Sequence, residues 1–299
     1  MTGVKAKKKN KKRFLGLKAK RAISDTLIYI ILLVMVFIWL FPLVWMVLRA
    51  FDVTPGTMTD SVFPRGYTLA NFRNLFPGGE NYDVYPYFKW FTNTLIVAVI
   101  SCVISTLFVL MVSYALSRLR FNARKKLMNI ALILGLFPGF LSLIALYYIF
   151  NAIGLTDSLI GLALAYSLAA GTGYYIVKGF FDTVPMAIDE AARIDGASRN
   201  RIFWQMIIPL SKPIIIYTIL TNFIGPWCDY IMASAFMHST STFTVAVGIR
   251  KWIMSKSTAQ DYFTRFCAGG VFISVPIVIL YTIMQKFYVA GITGGAAKG

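Results

Sequence analysis

The sequence predicts an all-α protein that crosses a membrane several times. Apolar residues make up 58% of the 299-residue chain and charged residues only 14%, and the mean hydropathy is +0.67. A soluble domain of this size does not need so many apolar side chains in its core. Six separate apolar runs also reach about 20 residues, the length at which a helix crosses the hydrocarbon core of a bilayer.

These runs define the predicted domain organisation. We expect a basic segment at residues 1–26, a six-helix transmembrane domain at 27–290 and a glycine-rich tail at 291–299. The predicted spans are 27–48, 92–117, 127–150, 158–177, 213–236 and 268–289. The first run follows ten Lys and Arg residues, but it is too long for the apolar part of a signal peptide and lacks a small-residue cleavage site. We therefore expect it to remain as a membrane anchor.

The distribution of Lys and Arg predicts the orientation of the spans. Residues 1–26 contain ten of them, and residues 118–126 and 178–212 contain five each, whereas the three alternate segments contain four, none and four. Because basic residues concentrate on the cytoplasmic side of a membrane, both termini are predicted to be cytoplasmic. The polar stretch at residues 182–213 then faces the cytoplasm as well.

The net charge of +18 does not indicate a nucleic-acid-binding protein. Ten of the basic residues lie beside the first span, where they orient the helix and contact anionic lipid headgroups. We therefore expect membrane lipid as a partner, and no nucleic acid.

Neither a catalytic site nor a metal site is indicated. The single histidine, His238, has no second histidine with which to share a metal, and the three cysteines match neither a zinc spacing nor a disulfide framework. Residues 294–299 lack the spacing and the hydroxyl of a phosphate-binding loop. We expect no cofactor on this chain, and if ATP is used, another subunit must bind it.

Residues 182–213 predict two short helices joined by a tight turn. Thr183 is suited to begin the first helix and Gly196 to end it. Ser198 is predicted to cap a second helix at 199–208. Small residues around the turn would let a partner backbone approach closely. From these signals alone, a docking surface and a surface loop without a partner both remain open.

Asp229 is the only acidic residue within the predicted spans. Ionisable groups at membrane depth are costly and usually face a cavity or a partner. Gly225 and Pro226 are predicted to break the helix before it. Other polar and aromatic side chains lie nearby: Asn222, Trp227 and Tyr230. Such groups suit the faces and hydroxyls of sugars, although an aromatic belt at the membrane interface would give the same pattern.

Residues 190–209 resemble the EAA loop of inner-membrane permease subunits of bacterial ABC importers. The matching residues are Glu190, Ala191, Ala192, Gly196 and Pro209. Met206 and Ile208 stand where that family has isoleucine and leucine, and both keep apolar bulk. The longer form EAARIDGAS, with Asp195, and the ending VAGITGGAAKG resemble the carbohydrate-importer branch, and in particular the MalG-like permeases of maltose and oligosaccharide systems.

The resemblance implies a MetI-like fold, that of type I ABC importer permeases, and a non-catalytic subunit in the bacterial cytoplasmic (inner) membrane. Its cargo would be a sugar, such as a malto-oligosaccharide. The implied partners are a second permease subunit in a heterodimer, two cytoplasmic ATPase subunits and an extracytoplasmic solute-binding protein. ATP and Mg would be bound by the partner ATPase.

The resemblance also assigns residues to these partners. The EAA loop would seat in a cleft of the ATPase through Glu190, Ala191, Ala192 and Gly196, with Asp195 in support. The tail would reach between the two ATPases through Gly294, Gly295 and Lys298. The transport pathway remains a separate hypothesis, with Asn222, Trp227, Asp229 and Tyr230 as its candidate residues.

Two alternatives to a sugar importer remain. A permease for another small solute, such as an amino acid, would share the EAA loop, but the DGAS extension and the tail favour sugar. An ion-coupled secondary transporter would carry acidic residues in several spans and often two similar halves, and this sequence has one acid in a span and no visible repeat.

Overall fold

The computed structural model describes the backbone of residues 9–56, 63–136, 139–169, 173–254 and 256–296. Within these residues the chain is helical, and its one extended pairing is an isolated β-bridge between Asp52 and Tyr67. The prediction of an all-α protein is confirmed. The helices are α1 Lys9–Ala50, α2 Ala70–Arg73, α3 Tyr87–Arg118, α4 Arg124–Gly135, α5 Gly139–Ala152, α6 Leu159–Ala169, α7 Gly173–Thr183, α8 Met186–Ile194, α9 Arg199–Ile202, α10 Ile208–Leu210, α11 Lys212–Cys228, α12 Ile231–Phe236, α13 Val245–Arg250 and α14 Lys256–Ala296.

Three of these helices are long and apolar enough to cross a membrane alone: Ser24–Ala50 of α1, all of α3, and Ser257–Gln285 of α14. Three further pairs of helices pass the same test together, although each is bent by more than 40°: α4 with α5, α6 with α7, and the segment Arg199–Leu210 with α11. The described residues thus provide up to six spans if each bent pair counts as one. The cytoplasmic position of both termini stays a prediction.

Helix α3 lies at the centre of the fold. It packs against α6, α7 and α11, and α14 packs against α1 and α11. In its most apolar stretch, 44% of the residues of α3 are buried within the chain, against 0% for α1 and 17% for α14. The buried face of α3 carries small side chains four residues apart, including Ser101, Ser105 and Ser113, which lets neighbouring helices approach closely.

The core is divided between the two ends of α3. One cluster surrounds the first turns of α3 and includes Trp90, Val97, Phe236 and Trp252. The other surrounds its last turns and joins it to the segment that follows α7. Helix α3 therefore connects two separately packed regions.

Asp157 joins two loops around the first of these regions. Its carboxylate accepts hydrogen bonds from the backbone N–H groups of His238 and Ser239, at 2.9 and 3.1 Å, and from the hydroxyls of Ser239 and Thr242. Burial acts to raise the pKa of Asp157, but these hydrogen bonds outweigh it and hold the pKa well below its usual range. The carboxylate therefore fixes the loop before α6 to the loop after α12.

Two helix ends differ from the sequence prediction. The break predicted at Gly225 and Pro226 comes later, since α11 continues through Pro226 to Cys228. Residues 291–296, assigned to a glycine-rich tail after the six-helix domain, continue α14 as helix to Ala296. Extending an existing helix adds a hydrogen bond per residue without a new nucleation cost, which offsets the poor helix propensity of the glycines. Lys298, assigned to the ATPase-contacting tail, lies outside the described residues.

Candidate functional site

The predicted coupling loop forms two short helices around a glycine turn. Helix α8 ends at Ile194, and Gly196 follows with φ of +79°. The backbone N–H of Gly196 donates to the carbonyl of Arg193 and that of Ala197 to the carbonyl of Ala192, at 3.0 and 2.9 Å. This is the Schellman pattern, which favours glycine because its second-to-last residue, here Gly196, must be left-handed. The prediction that Gly196 ends the helix is confirmed.

The second helix is capped as predicted but is not regular. The hydroxyl of Ser198 accepts a hydrogen bond from the backbone N–H of Arg201 at 3.3 Å. After α9, a π-helical turn at Phe203–Ile207 leads into α10, and the chain then bends by 85° into α11. Single π-helical turns are uncommon and often occur at functional sites. Thr183, in contrast, does not cap α8, because it is the last residue of α7 and Pro185 occupies the cap position before Met186. Its hydroxyl donates to the carbonyl of Phe180 within α7.

Helix α8 has an inward and an outward face. Asp189 is 1% exposed and Ala192 is 3% exposed, and both face the interior. The other residues assigned to the coupling contact are exposed: Glu190, Ala191, Asp195 and Gly196. Ala192 instead belongs to the buried cluster with Phe181 and Ile202. Four of the five residues assigned to the coupling contact are thus available to a partner. The fifth, Ala192, is buried and permits close packing of α8.

Ile194 is a residue that the sequence reasoning missed. Its side chain is 88% exposed, more than any other large apolar residue described. In the sequence it lies four residues after Glu190 and directly before Asp195, and both acids are exposed. An isolated exposed apolar residue is ordinary, but here it stands at the tip of a polar helical loop. The sequence feature that could have identified Ile194 is the presence of an isoleucine on the polar side of a short amphipathic helix.

The inward side of the loop is held by α3. Tyr114 packs its ring on Phe203 with centroids 4.8 Å apart, and its hydroxyl donates to the carbonyl of Arg199 at 3.2 Å. One turn later, Arg118 contacts the segment between α7 and α8. Residues four apart lie on one face of a helix, so one face of α3 contacts both halves of the loop.

Asp229 lies two residues before the short helix α12. One carboxylate oxygen accepts hydrogen bonds from the backbone N–H groups of Ile231 and Met232, at 2.8 and 3.3 Å. The other oxygen accepts from the hydroxyl of Tyr166 on α6 at 3.0 Å. The acid that stands out in the sequence thus stabilises a helix start and joins it to α6.

The neighbours of Asp229 are placed differently from one another. Tyr230 is half-buried and has the guanidinium of Arg250 at 4.5 Å from its ring centroid. The amide of Asn222 donates to the hydroxyl of Thr106 on α3 at 3.2 Å. Trp227 is 3% exposed, with its ring against Phe91. Within this chain Trp227 is therefore a core residue, whereas Asp229 and Tyr230 keep part of their surface free.

Metal binding has no support among the described residues, which contain no group of three His, Cys, Asp or Glu side chains placed to hold an ion. Cys102, Cys228 and Cys267 are free thiols.

Residues 111–294, more than half of the chain, match the protein family described as "Binding-protein-dependent transport system inner membrane component". The chain belongs to this family of transport permeases. The resemblance inferred from the EAA loop is thereby confirmed, and the matched residues include the loop and the helices that hold it. A family of inner-membrane components also agrees with a multi-pass protein of the bacterial cytoplasmic membrane.

Relatives of this permease cover nearly its full length. The galactooligosaccharides transport system permease protein GanQ of Bacillus subtilis is 33% identical over 286 residues, which are 95% of this chain and 99% of GanQ. The maltodextrin transport system permease protein MalD of Streptococcus pneumoniae is 33% identical over 289 residues, with the same two coverages. These relatives are permeases of sugar transport systems.

A solved structure confirms the fold. The permease chain is similar to a chain of a bacterial ABC transporter involved in the import of the acidic polysaccharide alginate, with a TM-score of 0.75 and 21% identity. The similarity covers 90% of this chain and 98% of that one. The predicted MetI-like permease fold is therefore correct.

Proposed function

We propose that this permease is the membrane subunit of an ATP-driven importer for an oligosaccharide, and that the exposed face of α8 docks on a separate ATPase. The observation that carries the proposal is the outward face of α8, where Ile194 is 88% exposed and Glu190 and Asp195 are exposed as well. A few anchor residues that fill pockets of the partner carry most of the binding energy of an interface, and the exposed side chain of Ile194 is suited to this role. The relatives in galactooligosaccharide and maltodextrin transport support a sugar as cargo.

The proposal includes the partners that such a subunit needs. A second permease would complete the pathway as a heterodimer, an extracytoplasmic binding protein would deliver the sugar, and two ATPase subunits would bind ATP and Mg in the cytoplasm. Both termini would be cytoplasmic, and the end of α14 near Gly294 and Gly295 would approach the ATPases. Asn222, Asp229 and Tyr230 would border the sugar pathway.

The docking role can be tested with a matched pair of glycine substitutions. Gly196 and Gly154 both have a positive φ, of 79° and 69°, and an added Cβ would meet nothing within 4 Å at either position. Aspartate therefore introduces the same backbone strain at both sites. We expect Gly196→Asp, and not Gly154→Asp, to release the ATPase during purification of the complex.

Transport is measured with the complex in proteoliposomes, with binding protein and labelled maltodextrin or galacto-oligosaccharide outside and ATP inside. Sugar uptake that depends on ATP and is lost in Gly196→Asp supports the proposal. If no ATPase copurifies and uptake follows an ion gradient instead, the proposal is wrong and Asp229 becomes the candidate coupling acid.

A further inference from the structure

Arg118 is the last residue of α3, and its side chain is almost completely buried. The residue is 3% exposed. One terminal nitrogen, Nη2, donates to the backbone carbonyls of Phe181 and Val184, at 2.7 and 2.8 Å. The other, Nη1, donates to the sulfur of Met186 at 2.8 Å. A single guanidinium thus contacts the end of α7, the connecting turn and the first residue of α8.

These contacts explain why a charged side chain is stable in this position. The last carbonyls of a helix have no partner within the helix, and its carboxyl end attracts cations. Arg118 supplies both the donors and the positive charge to the end of α7. The planar fork of arginine holds its donors on separate nitrogens in a fixed geometry, which the compact ammonium of lysine, with three rotatable donors on one nitrogen, does not reproduce.

Asp189 on α8 supplies the counter-charge of Arg118. Its carboxylate is 1% exposed and lies 3.8 Å from Nε of Arg118. Among the described residues neither carboxylate oxygen accepts a hydrogen bond, nor does Nε of Arg118 donate one. The 3.8 Å separation is about 1 Å longer than a charge-assisted hydrogen bond. The ion pair can therefore shorten when α8 moves towards α3, without breaking.

The position of this pair links the docking face to the centre of the bundle. Asp189 directly precedes the exposed Glu190 on α8, and Arg118 ends the helix that runs through both core clusters. At the far end of α3, Trp90 is completely buried against α13. Arg118 and Asp189 therefore lie between the exposed face of α8 and the carboxyl end of α3.

We propose that Arg118 is a positioning residue that makes α8 and α3 move together, so that movement of a docked ATPase reaches the transmembrane bundle. This inference rests on the proposed docking of α8 on an ATPase. It assigns to Arg118 and Asp189 a role in transmission rather than in docking, because both side chains face away from the exposed surface. The pair thus differs in function from Glu190 and Ile194.

A double substitution separates transmission from folding. Arg118→Met alone leaves Asp189 as an unpaired buried charge, and Asp189→Asn alone leaves the guanidinium without its counter-charge, so either single variant can lose stability. Arg118→Met with Asp189→Asn removes both charges, so that neither is left buried without its counter-charge. Arg118→Lys is the second variant, which keeps the charge but not the fork of donors.

The control removes a nearby pair that does not join α3 to α8. Lys178 and Asp182 form an ion pair one turn apart on α7, with side chains 12% and 42% exposed. A partly exposed pair of this kind contributes little to stability. Lys178→Met should therefore leave the measured activity unchanged.

The measurement is ATP hydrolysis by the purified complex in lipid, with and without sugar-loaded binding protein, together with the amount of copurified ATPase. We expect the double variant and Arg118→Lys to retain the ATPase and its basal hydrolysis. Their stimulation by sugar-loaded binding protein should fall at least about fivefold, the lower range of allosteric coupling. If Arg118 and Asp189 served only the stability of the fold, the folded double variant would be stimulated by sugar-loaded binding protein as strongly as the wild type.

The other outcomes are equally decisive. Normal stimulation in either Arg118 variant overturns the inference, and so does loss of the ATPase from both, because Arg118 would then serve docking or folding. If the wild-type complex itself is not stimulated by any sugar-loaded binding protein, the proposed function as a sugar importer is wrong. If the wild type is stimulated and the Arg118 variants match it, only the role of Arg118 fails.

Discussion

Gly248 on α13 is a position where a single methyl group should destabilise the permease. A Cβ at this residue would lie 2.0, 2.2 and 2.6 Å from Cε3, Cδ2 and Cζ3 of the Trp90 ring on α3. Carbon atoms in contact need about 3.5–4.0 Å, so the ring or the helix must move by about 1.5 Å. The glycine therefore sets the distance between α13 and α3.

The Trp90 ring has little freedom to move away. It is 0% exposed, and its indole N–H donates to the carbonyl of Thr240 at 2.9 Å. The rings of Phe243 and Trp252 lie at centroid distances of 6.4 and 6.1 Å. Overpacking a tight core costs about 1–3 kcal/mol, and a displaced hydrogen bond adds about 1 kcal/mol. The better helix propensity of alanine returns about 1 kcal/mol.

We therefore expect Gly248→Ala to destabilise the protein by about 1–3 kcal/mol. Thermal unfolding in detergent should show a melting temperature lower by at least about 3 °C. Gly179→Ala is the matched control, because Gly179 is exposed in α7 and an added Cβ would meet nothing within 4 Å. An unchanged melting temperature of Gly248→Ala would refute the argument. In the Gly248→Ala background, Trp90→Phe should recover part of the loss, because the smaller ring leaves room.

Three further substitutions test other contacts. Asp157→Asn should lower the melting temperature at neutral pH by weakening the contacts between the two loops, and the difference from wild type should shrink below about pH 4, where the carboxylate of the unfolded chain is protonated. Ile194→Ser should weaken ATPase binding at least about fivefold in a titration, whereas Leu69→Ser, at an exposed leucine outside the coupling loop, should not. Asp229→Asn should keep the start of α12, since asparagine caps helices as well as aspartate, and should lower sugar uptake at an unchanged melting temperature. Normal uptake in Asp229→Asn would remove this acid from the pathway.

Features that depend on local backbone chemistry could be predicted from the sequence. Gly196 ends α8 because the turn needs a positive φ, and Ser198 caps α9 because a hydroxyl in that position reaches a free backbone N–H. Both requirements involve only a few neighbouring residues. The same local reasoning failed for Thr183, because α7 continues to this residue and α8 begins only at Met186, with Pro185 in the cap position.

Features that depend on distant partners could not be predicted in this way. Asp189 reads in the sequence as an acid at the favourable end of a short helix, but its side chain is buried beside Arg118, which belongs to a different span. Ala192 carries the family pattern of the exposed loop, yet the amphipathic rotation of α8 turns it inward. Likewise, α11 continues past Pro226 because neighbouring helices hold it.

The exposed stretch of α1 determines which substitutions the chain tolerates there. Residues 24–44 are all exposed, whereas Trp45 packs on Phe263 of α14 and Ala50 is completely buried. Before Trp45 the side chains of this stretch are all exposed, so packing against the rest of the chain hardly selects one apolar side chain over another. Isoleucine, leucine, valine and phenylalanine are therefore interchangeable there for the stability of the isolated subunit. Any preference among them must be imposed by the lipid or by the protein that surrounds the helix.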